Sequence, residues 1–423
     1  MDRPTSAVRS RTWTPNASKR GRPHVRAAAS LLLAGGVLVG SVQVAHAQSN
    51  DVLSATARLD MKYDSNLFLL PSDANAASLI GTSKKSAFVY TEDADFLFDK
   101  TYSMQHFKVE ADALHQSFQG FHYLDFSTVN YKAQWDWHLS PRLTGDFGAS
   151  RHQELGDYAD SKQYNARNLE TSNEQHFNVD LNAFPHWHLV AGLQRFSLDN
   201  PGSFSQVGSF KENSVQAGVK YVSTPGNQVT LLLRNSVGNF DRTLDPVNLL
   251  DTQYVQRQAK LIVDYRLSGH STMQGWVGYT NRHYGTFSVR DFSGVIGGAS
   301  FDWTPTEKTS VNVSFVHDLI DYEDGASSYY MTNVVRIKPT WNVTSKVRVS
   351  AALVFAYNAF RDPVVPGSTL RSDTEFGTEL RVEYRPIRST VLAAYTQWRK
   401  RSSNVDDFRY DDNVFGLSGS FTY

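Results

Sequence analysis

The chain ends on a segment with two unlike faces. Phe415, Leu417, Gly419, Phe421 and Tyr423 fall on one parity, and Gly416, Ser418, Ser420 and Thr422 on the other. A period of two is the signature of a β-strand. A strand that is greasy on one side and small or polar on the other has to set its greasy side against something apolar. As the last element of the chain, ending on an aromatic residue, it reads as the closing strand of a barrel in an outer membrane.

The same pattern fills the sequence from residue 52 onward. Leu53, Ala55, Ala57, Leu59, Met61 and Tyr63 alternate with Ser54, Thr56, Arg58, Asp60 and Lys62. Val129, Tyr131, Ala133, Trp135 and Trp137 alternate with Asn130, Lys132, Gln134, Asp136 and His138; Asp180 and the set Glu379, Arg381 and Glu383 interleave with apolar residues in the same way. A soluble β-sandwich also alternates, but it would not sustain the pattern over some 370 residues without a domain break. Backbone polar groups cannot stay open in lipid, so a membrane-spanning sheet must close on itself. The expected fold is therefore all-β: a transmembrane, antiparallel, up-and-down outer-membrane barrel. Its apolar stripe faces lipid, and Arg58, Asp60, Lys62, Lys132, Asp136, Asp180, Glu379, Arg381 and Glu383 line the pore.

Turn chemistry sets the strand count. Short turns are expected at 99–101, 140–142, 184–186, 223–227, 268–270, 304–307, 342–345 and 385–387, most of them punctuated by Pro or Gly. Longer connections are expected at 64–86, 117–124, 152–173, 199–212, 238–253, 281–291, 318–329, 358–374 and 400–413. Together they give about 18 strands, with 16 as the alternative, because alternation weakens near Met273–Tyr284 and Phe292–Trp303. Both termini and the short turns then lie on the periplasmic side. Trp137, Trp187, Tyr221, Tyr265, Trp303, Trp341, Tyr384 and Tyr423 fall close to those turns or the terminus, where an aromatic girdle is expected.

The front of the chain agrees. Residues 1–26 carry seven basic residues against Asp2, 27–44 are apolar, and Ala45-His46-Ala47 is an A-x-A cleavage site. Residues 1–47 thus read as a secretory signal peptide and 48–423 as the barrel. Without the leader's seven bases and one acid, 35 Lys+Arg stand against 41 Asp+Glu, a net of −6, which argues against nucleic-acid binding. The mean hydropathy of −0.40 suits a wall in which only alternate residues meet lipid. Absence of cysteine removes disulfides and thiolate metal sites.

No enzyme motif is present: the chain lacks a Gly-x-Ser-x-Gly elbow, a His-Glu-x-x-His pair and a phosphate-binding glycine loop. Neither catalytic residues, metal nor cofactor is expected. His115, His138 and His317 read as pore-wall or rim histidines, although a Ser/His pair meeting in the fold would admit an embedded hydrolase. Asp406, Asp407, Asp411 and Asp412 lack EF-hand spacing and read as a solvated acidic loop.

One stretch is sharper. In Tyr63-Asp64-Ser65-Asn66-Leu67-Phe68-Leu69-Leu70-Pro71, the polar residues turn the chain out of a strand and Pro71 stops pairing. Leu67 to Leu70 are too greasy for a free loop and are expected to pack at the rim or into the pore mouth. Tyr63, Asp64, Ser65, Asn66, Leu67 and Phe68, followed by Leu70-Pro71, resemble the start of outer-membrane barrels encoded with exopolysaccharide biosynthesis machinery (the EpsL-like, "putative β-barrel porin 2" group). That family often carries Arg where this chain has Leu69. The resemblance implies passage of nascent exopolysaccharide beside a periplasmic polysaccharide-export protein, with no catalytic residue to carry over. The chain's final residues resemble the signal read by the bacterial barrel-assembly machinery. Outer-membrane lipid and lipopolysaccharide are the expected surroundings. General or oligosaccharide uptake, or a plugged structural barrel, are the alternative functions.

Overall fold

The computed structural model describes residues 52–156, 158–160, 163–200, 208–322, 327–364, 367 and 369–423. The expected signal peptide lies outside them. Eighteen strands form one closed antiparallel sheet. They are β1 (Leu53–Asp64), β2 (Ala87–Tyr102), β3 (Gln105–Phe118), β4 (Phe126–Ser140), β5 (Leu143–Leu155) and β6 (Leu169–Phe184). Next come β7 (Trp187–Asp199), β8 (Phe210–Val222), β9 (Gln228–Phe240), β10 (Gln253–Ser268), β11 (Ser271–Tyr284) and β12 (Phe292–Thr306). The last are β13 (Thr309–Asp321), β14 (Ser327–Asn342), β15 (Val347–Pro363), β16 (Ser372–Tyr384), β17 (Thr390–Ser403) and β18 (Tyr410–Thr422). Each strand pairs with its sequence neighbours, and β1 closes on β18 with Leu59 opposite Gly419. The count of 16 is set aside, because β11 and β12 are full strands paired in register from Ser271↔Trp303 to Arg282↔Phe292.

The two faces sort by parity. On β18, Phe415, Leu417 and Phe421 are more than half exposed, whereas Val414 and Asp412 are buried. Leu59, Val129 and Leu380 point out, and Arg58, Lys132 and Arg381 point in. An exposed apolar skin around a hydrogen-bonded cylinder is stable only against lipid. Among the described residues, no helix is long and apolar enough to cross a membrane; the strands make the crossing.

Two expectations about connections need correction. The first short turn is not at 99–101. β2 and β3 pair as far as Tyr102↔Gln105, and the chain reverses at Ser103–Met104, with Ser103 at φ 54°. Asp99 and Lys100 resemble turn residues but alternate within a strand. The extracellular connections are also shorter than polarity suggested. β13 and β14 pair up to Asp321↔Tyr329, so much of 318–329 is strand.

The apolar clusters that resemble a core lie at the extracellular mouth. Above His317, β13 no longer pairs with β12. There Leu319 and Tyr329 pack with Phe292 and Ile296, while Ile320 and Tyr330 pack with Tyr322 and Phe360. The described upper ends of β13 and β14 meet those of β11 and β12, with Asp321 accepting hydrogen bonds from Arg282 and Tyr284.

Candidate pore lumen

Every sequence-predicted pore residue sits on the inward parity, and most are held by partners. Arg58 on β1 reaches Asp93 and Asp95 on β2, both at 3.1 Å. Asp60 accepts a hydrogen bond from the Tyr395 hydroxyl at 3.0 Å, and Lys62 lies beside Asp64. Asp136 faces His106 at 3.1 Å and accepts from the Gln134 amide at 2.9 Å. Asp180 pairs with His188 at 2.6 Å and with Lys220. Glu379 accepts from Gln397 at 3.1 Å, and Arg381 pairs with Glu383 at 3.1 Å, with Arg348 on the far side of that carboxylate. Lys132 stays accessible from the lumen. Opposite charges on neighbouring strands neutralise one another along the wall and leave amides and hydroxyls between them.

The periplasmic half of the bore encloses a cavity of about 560 Å³ lined by Lys132, Gln134, Asp136, Asp180, Gln216 and Trp276 among others. Lys260 stands over the Trp276 ring at 4.8 Å, a cation–π contact that holds an aromatic face toward the lumen.

The extracellular half is different. The Tyr63–Pro71 segment closes on itself through Asn66. The Asn66 amide donates to the Leu70 carbonyl at 2.8 Å and to the Asp411 carbonyl at 3.0 Å, and its oxygen accepts from the Leu70 amide at 3.0 Å. Asp412 on β18 accepts from the Ser65 hydroxyl and the Asn66 backbone N–H, and is itself held by Arg399 at 2.5 Å. This knot puts Leu69 at φ 51° and drives Phe68 and Leu70, both fully buried, into a cluster with Phe118, Phe121, Tyr158 and Tyr164. Phe68 meets three of those rings at 5.0 to 6.0 Å. A short helix follows (α1, Ala76–Ile80), capped by Asn75.

The β5–β6 connection enters the mouth from the opposite side of the sequence. Asp160 reaches Arg371 at 2.5 Å and Arg401 at 2.9 Å. The same two arginines hold Asp373 and Glu375, and Arg371 lies over the Phe360 and Phe408 rings. Burial opposes ionisation of Asp160, but the Arg401 and Arg371 guanidiniums outweigh it and hold the carboxyl well below the usual range. Arg290, fully buried, donates to the carbonyls of Leu249, Asn248 and Ser327 and ties three extracellular segments together.

Sequence reasoning missed Asp160, Arg371 and Arg401. The only hint was aromatic: Tyr158 and Tyr164 stand in a stretch otherwise polar. Of the pore-wall or rim reading of His115 and His317, the pore-wall half is corrected: both are on the outer face, with His115 near the extracellular end of β3. His115 meets the Ser127 hydroxyl at 2.8 Å and His317 meets Asn333 at 2.8 Å, both on the parity of the lipid-facing stripe. The Ser127–His115 pair has Glu92 as its cross-strand neighbour, but no hydrogen bond joins Glu92 to His115 among the described residues, so no bonded relay is assembled. The expectation of one solvated acidic loop is corrected: Asp406 and Asp407 lie in the loop, whereas Asp411 and Asp412 stand on β18, with Asp412 buried. Asp411 faces out to Trp398 and Asp412 faces in to Arg399, and among the described residues no cluster suited to a metal occurs. The girdle residues lie outside at the periplasmic ends. Trp187, Tyr221, Tyr265, Trp303, Trp341, Tyr384 and Tyr423 are exposed, while Trp137 is covered by stacking on Phe177 at 5.7 Å.

Residues 255–421 match the sequence family described as "Putative beta-barrel porin 2"; this stretch is the second half of the barrel and excludes the Tyr63–Pro71 motif. No curated protein matches. Similar solved structures include Pseudomonas aeruginosa OccK2 (OpdF) in complex with glucuronate, at 12% identity and TM-score 0.47 over 88% of this chain and 98% of that one. P. aeruginosa OpdQ matches at 11% and 0.49 over 88% and 97%, and a BenF-like porin from Pseudomonas fluorescens Pf-5 at 12% and 0.49 over 88% and 99%. The chain is a closed, antiparallel, 18-stranded β-barrel of the bacterial outer membrane.

Proposed function

We propose that the barrel is a gated channel for small hydrophilic solutes, oligosaccharides among them, and that the extracellular segments hold it closed in the state described above. The carrying observation is the contrast between a bore lined by paired charges, amides and Trp276 and a mouth filled by Phe68, Leu70 and the Asp160 bridges. Such a wall exchanges water hydrogen bonds for protein ones at little net cost. Trp276 offers a flat apolar face on which a sugar ring can slide. Neutralised charge predicts weak ion selectivity. The test is purified protein in planar bilayers and in liposomes swollen with oligosaccharides of increasing size. Size-limited, weakly selective permeation that rises when the mouth is unlatched supports the reading; silence from the unlatched protein favours a plugged structural barrel.

Export of nascent exopolysaccharide beside a periplasmic export protein is the second reading, favoured by the Tyr63–Pro71 motif. The fold uses that motif to hold the mouth, a task that an exit gate and an entry gate share. Deletion of the gene separates the two. Loss of secreted polysaccharide with unchanged solute uptake would favour export, and the reverse would favour uptake.

A further inference from the structure

The outer skin is not level. With strands rising about 3.3 Å per residue and tilted by about 40°, each residue gains about 2.5 Å of height. On β15 the outward residues Val347, Val349, Ala351, Leu353, Phe355 and Tyr357 are all apolar, a belt of about 25 Å and so the full height expected of the lipid band. On β7 the belt runs only from Trp187 to Leu193, about 15 Å, and the next outward residue is Arg195. Its outward neighbours break at the same level: Gln175 on β6 and Asn213 on β8 pair with Arg195, and Asn235 on β9 pairs with Arg257 on β10, with the apolar pair Val237 and Val255 above them.

This notch is cationic. Arg195, Lys211 and Arg257 point outward and are exposed, and none has a hydrogen-bond or ion-pair partner among the described residues. Lys211 lies two residues beyond Asn213, so it and Arg195 sit on adjacent strands within reach of one anion. Arg257 lies two strands further round. No outward acid lies among them on β6 to β10 below Asp199 at the rim. The opposite flank differs: Lys400 on β17 stands directly across from Asp411 on β18.

We propose that this notch over β6–β10 is a binding site for a phosphorylated glycolipid of the outer leaflet. Its phosphates meet Arg195, Lys211 and Arg257 through charge-assisted hydrogen bonds. Its sugar hydroxyls and amides meet Asn213, Asn235 and Gln175. Its acyl chains lie on Leu193, Val215 and Leu233 beneath, which are exposed at 58%, 54% and 59%. A second copy of the chain does not fit by the same patch, because the contact would set cation against cation.

The test is native mass spectrometry of the detergent-solubilised full barrel titrated with three probes: bisphosphorylated lipid A, its dephosphorylated form and phosphatidylethanolamine. Wild type is expected to retain lipid A at least tenfold better than either other probe. The triple substitution Arg195→Gln, Lys211→Gln, Arg257→Gln should lose that preference, and Lys400→Gln should keep it. Heat-modifiable gel mobility reports that each variant is folded. Should the triple variant not fold, Arg195→Gln alone, which is expected to lower retention severalfold, carries the test. Equal retention of the dephosphorylated probe, unchanged retention by a folded cation-free variant, or a detergent-stable oligomer that dissolves in that variant would each overturn the assignment.

Discussion

The two ends of the bore are built from the same strands and solve opposite problems. At the periplasmic end the inward side chains pair with neighbours on the same or the next strand, as Asp180 on β6 does with His188 on β7 and Glu383 on β16 with Arg381 beside it and Arg348 on β15, and the centre is left empty. At the extracellular end the partners come from far away in sequence. Asp160 is bound to Arg371 and Arg401, and Asn66 is tied to the β18 backbone at Asp411. Local pairing leaves a wall, whereas long-range pairing ties extracellular segments to the mouth, the stopper of the reading proposed above. The comparison teaches that charge in a barrel does not imply conduction; the range of its partners decides.

The largest effect should come from removing the shared carboxylate. Asp160→Ala leaves two buried guanidiniums short of a partner, worth about 3 kcal/mol since each retains an acid of its own, a shift of about a hundredfold in the closed-to-open ratio. Single-channel recording should show long open intervals in the variant and rare ones in wild type. Next comes Asn66→Ala, which orphans the Leu70 amide and carbonyl and should loosen the first extracellular segment by about 2 kcal/mol. Hydrogen exchange over residues 66–86 should speed up while the strands stay protected.

The pH dependence sharpens the same contrast. Because Asp160 is held below its ordinary value, its bridges are complete above the unfolded carboxylate range and are lost only as pH falls through the lowered value. Closed-state currents should therefore be flat between pH 5 and 8. A steep opening in that window would mean that some other group holds the mouth. The smallest effect belongs to the open half: Lys132→Gln should change conductance by less than about twofold and leave the gate untouched, as read by current–voltage curves in the two variants.

How much of this was legible follows from what period two encodes. It reports which face a residue takes on a strand, so Leu59, Val129 and Leu380 could be set against Arg58, Lys132 and Arg381, and the girdle could be placed beside the turns. It is blind to contacts between strands remote in sequence. Asp160, Arg371 and Arg401 fall inside stretches expected as connections, 152–173, 358–374 and 400–413, and alternation says nothing of what they meet. The greasy run Leu67–Leu70 was the exception, because four apolar residues in a polar connection cannot stay in water. Strand ends were misjudged at 99–101 and 318–329 because polar residues near the end of a strand look like loop residues. The outer polar notch was also hidden: each strand alone looks complete, and only register across β6–β10 lines up Gln175, Arg195, Asn213, Asn235 and Arg257 as a polar break in the belt.

The absence of native cysteine permits a direct test of the inside-out wall. Single cysteines at Lys132 and Arg381 should react with a water-soluble, membrane-impermeant maleimide in the Asp160→Ala background and resist a lipid-borne quencher. Cysteines at Leu59, Ala133 and Leu380 should do the reverse. Labelling of Leu59 and Leu380 from water, with Lys132 and Arg381 quenched from lipid, would contradict the account.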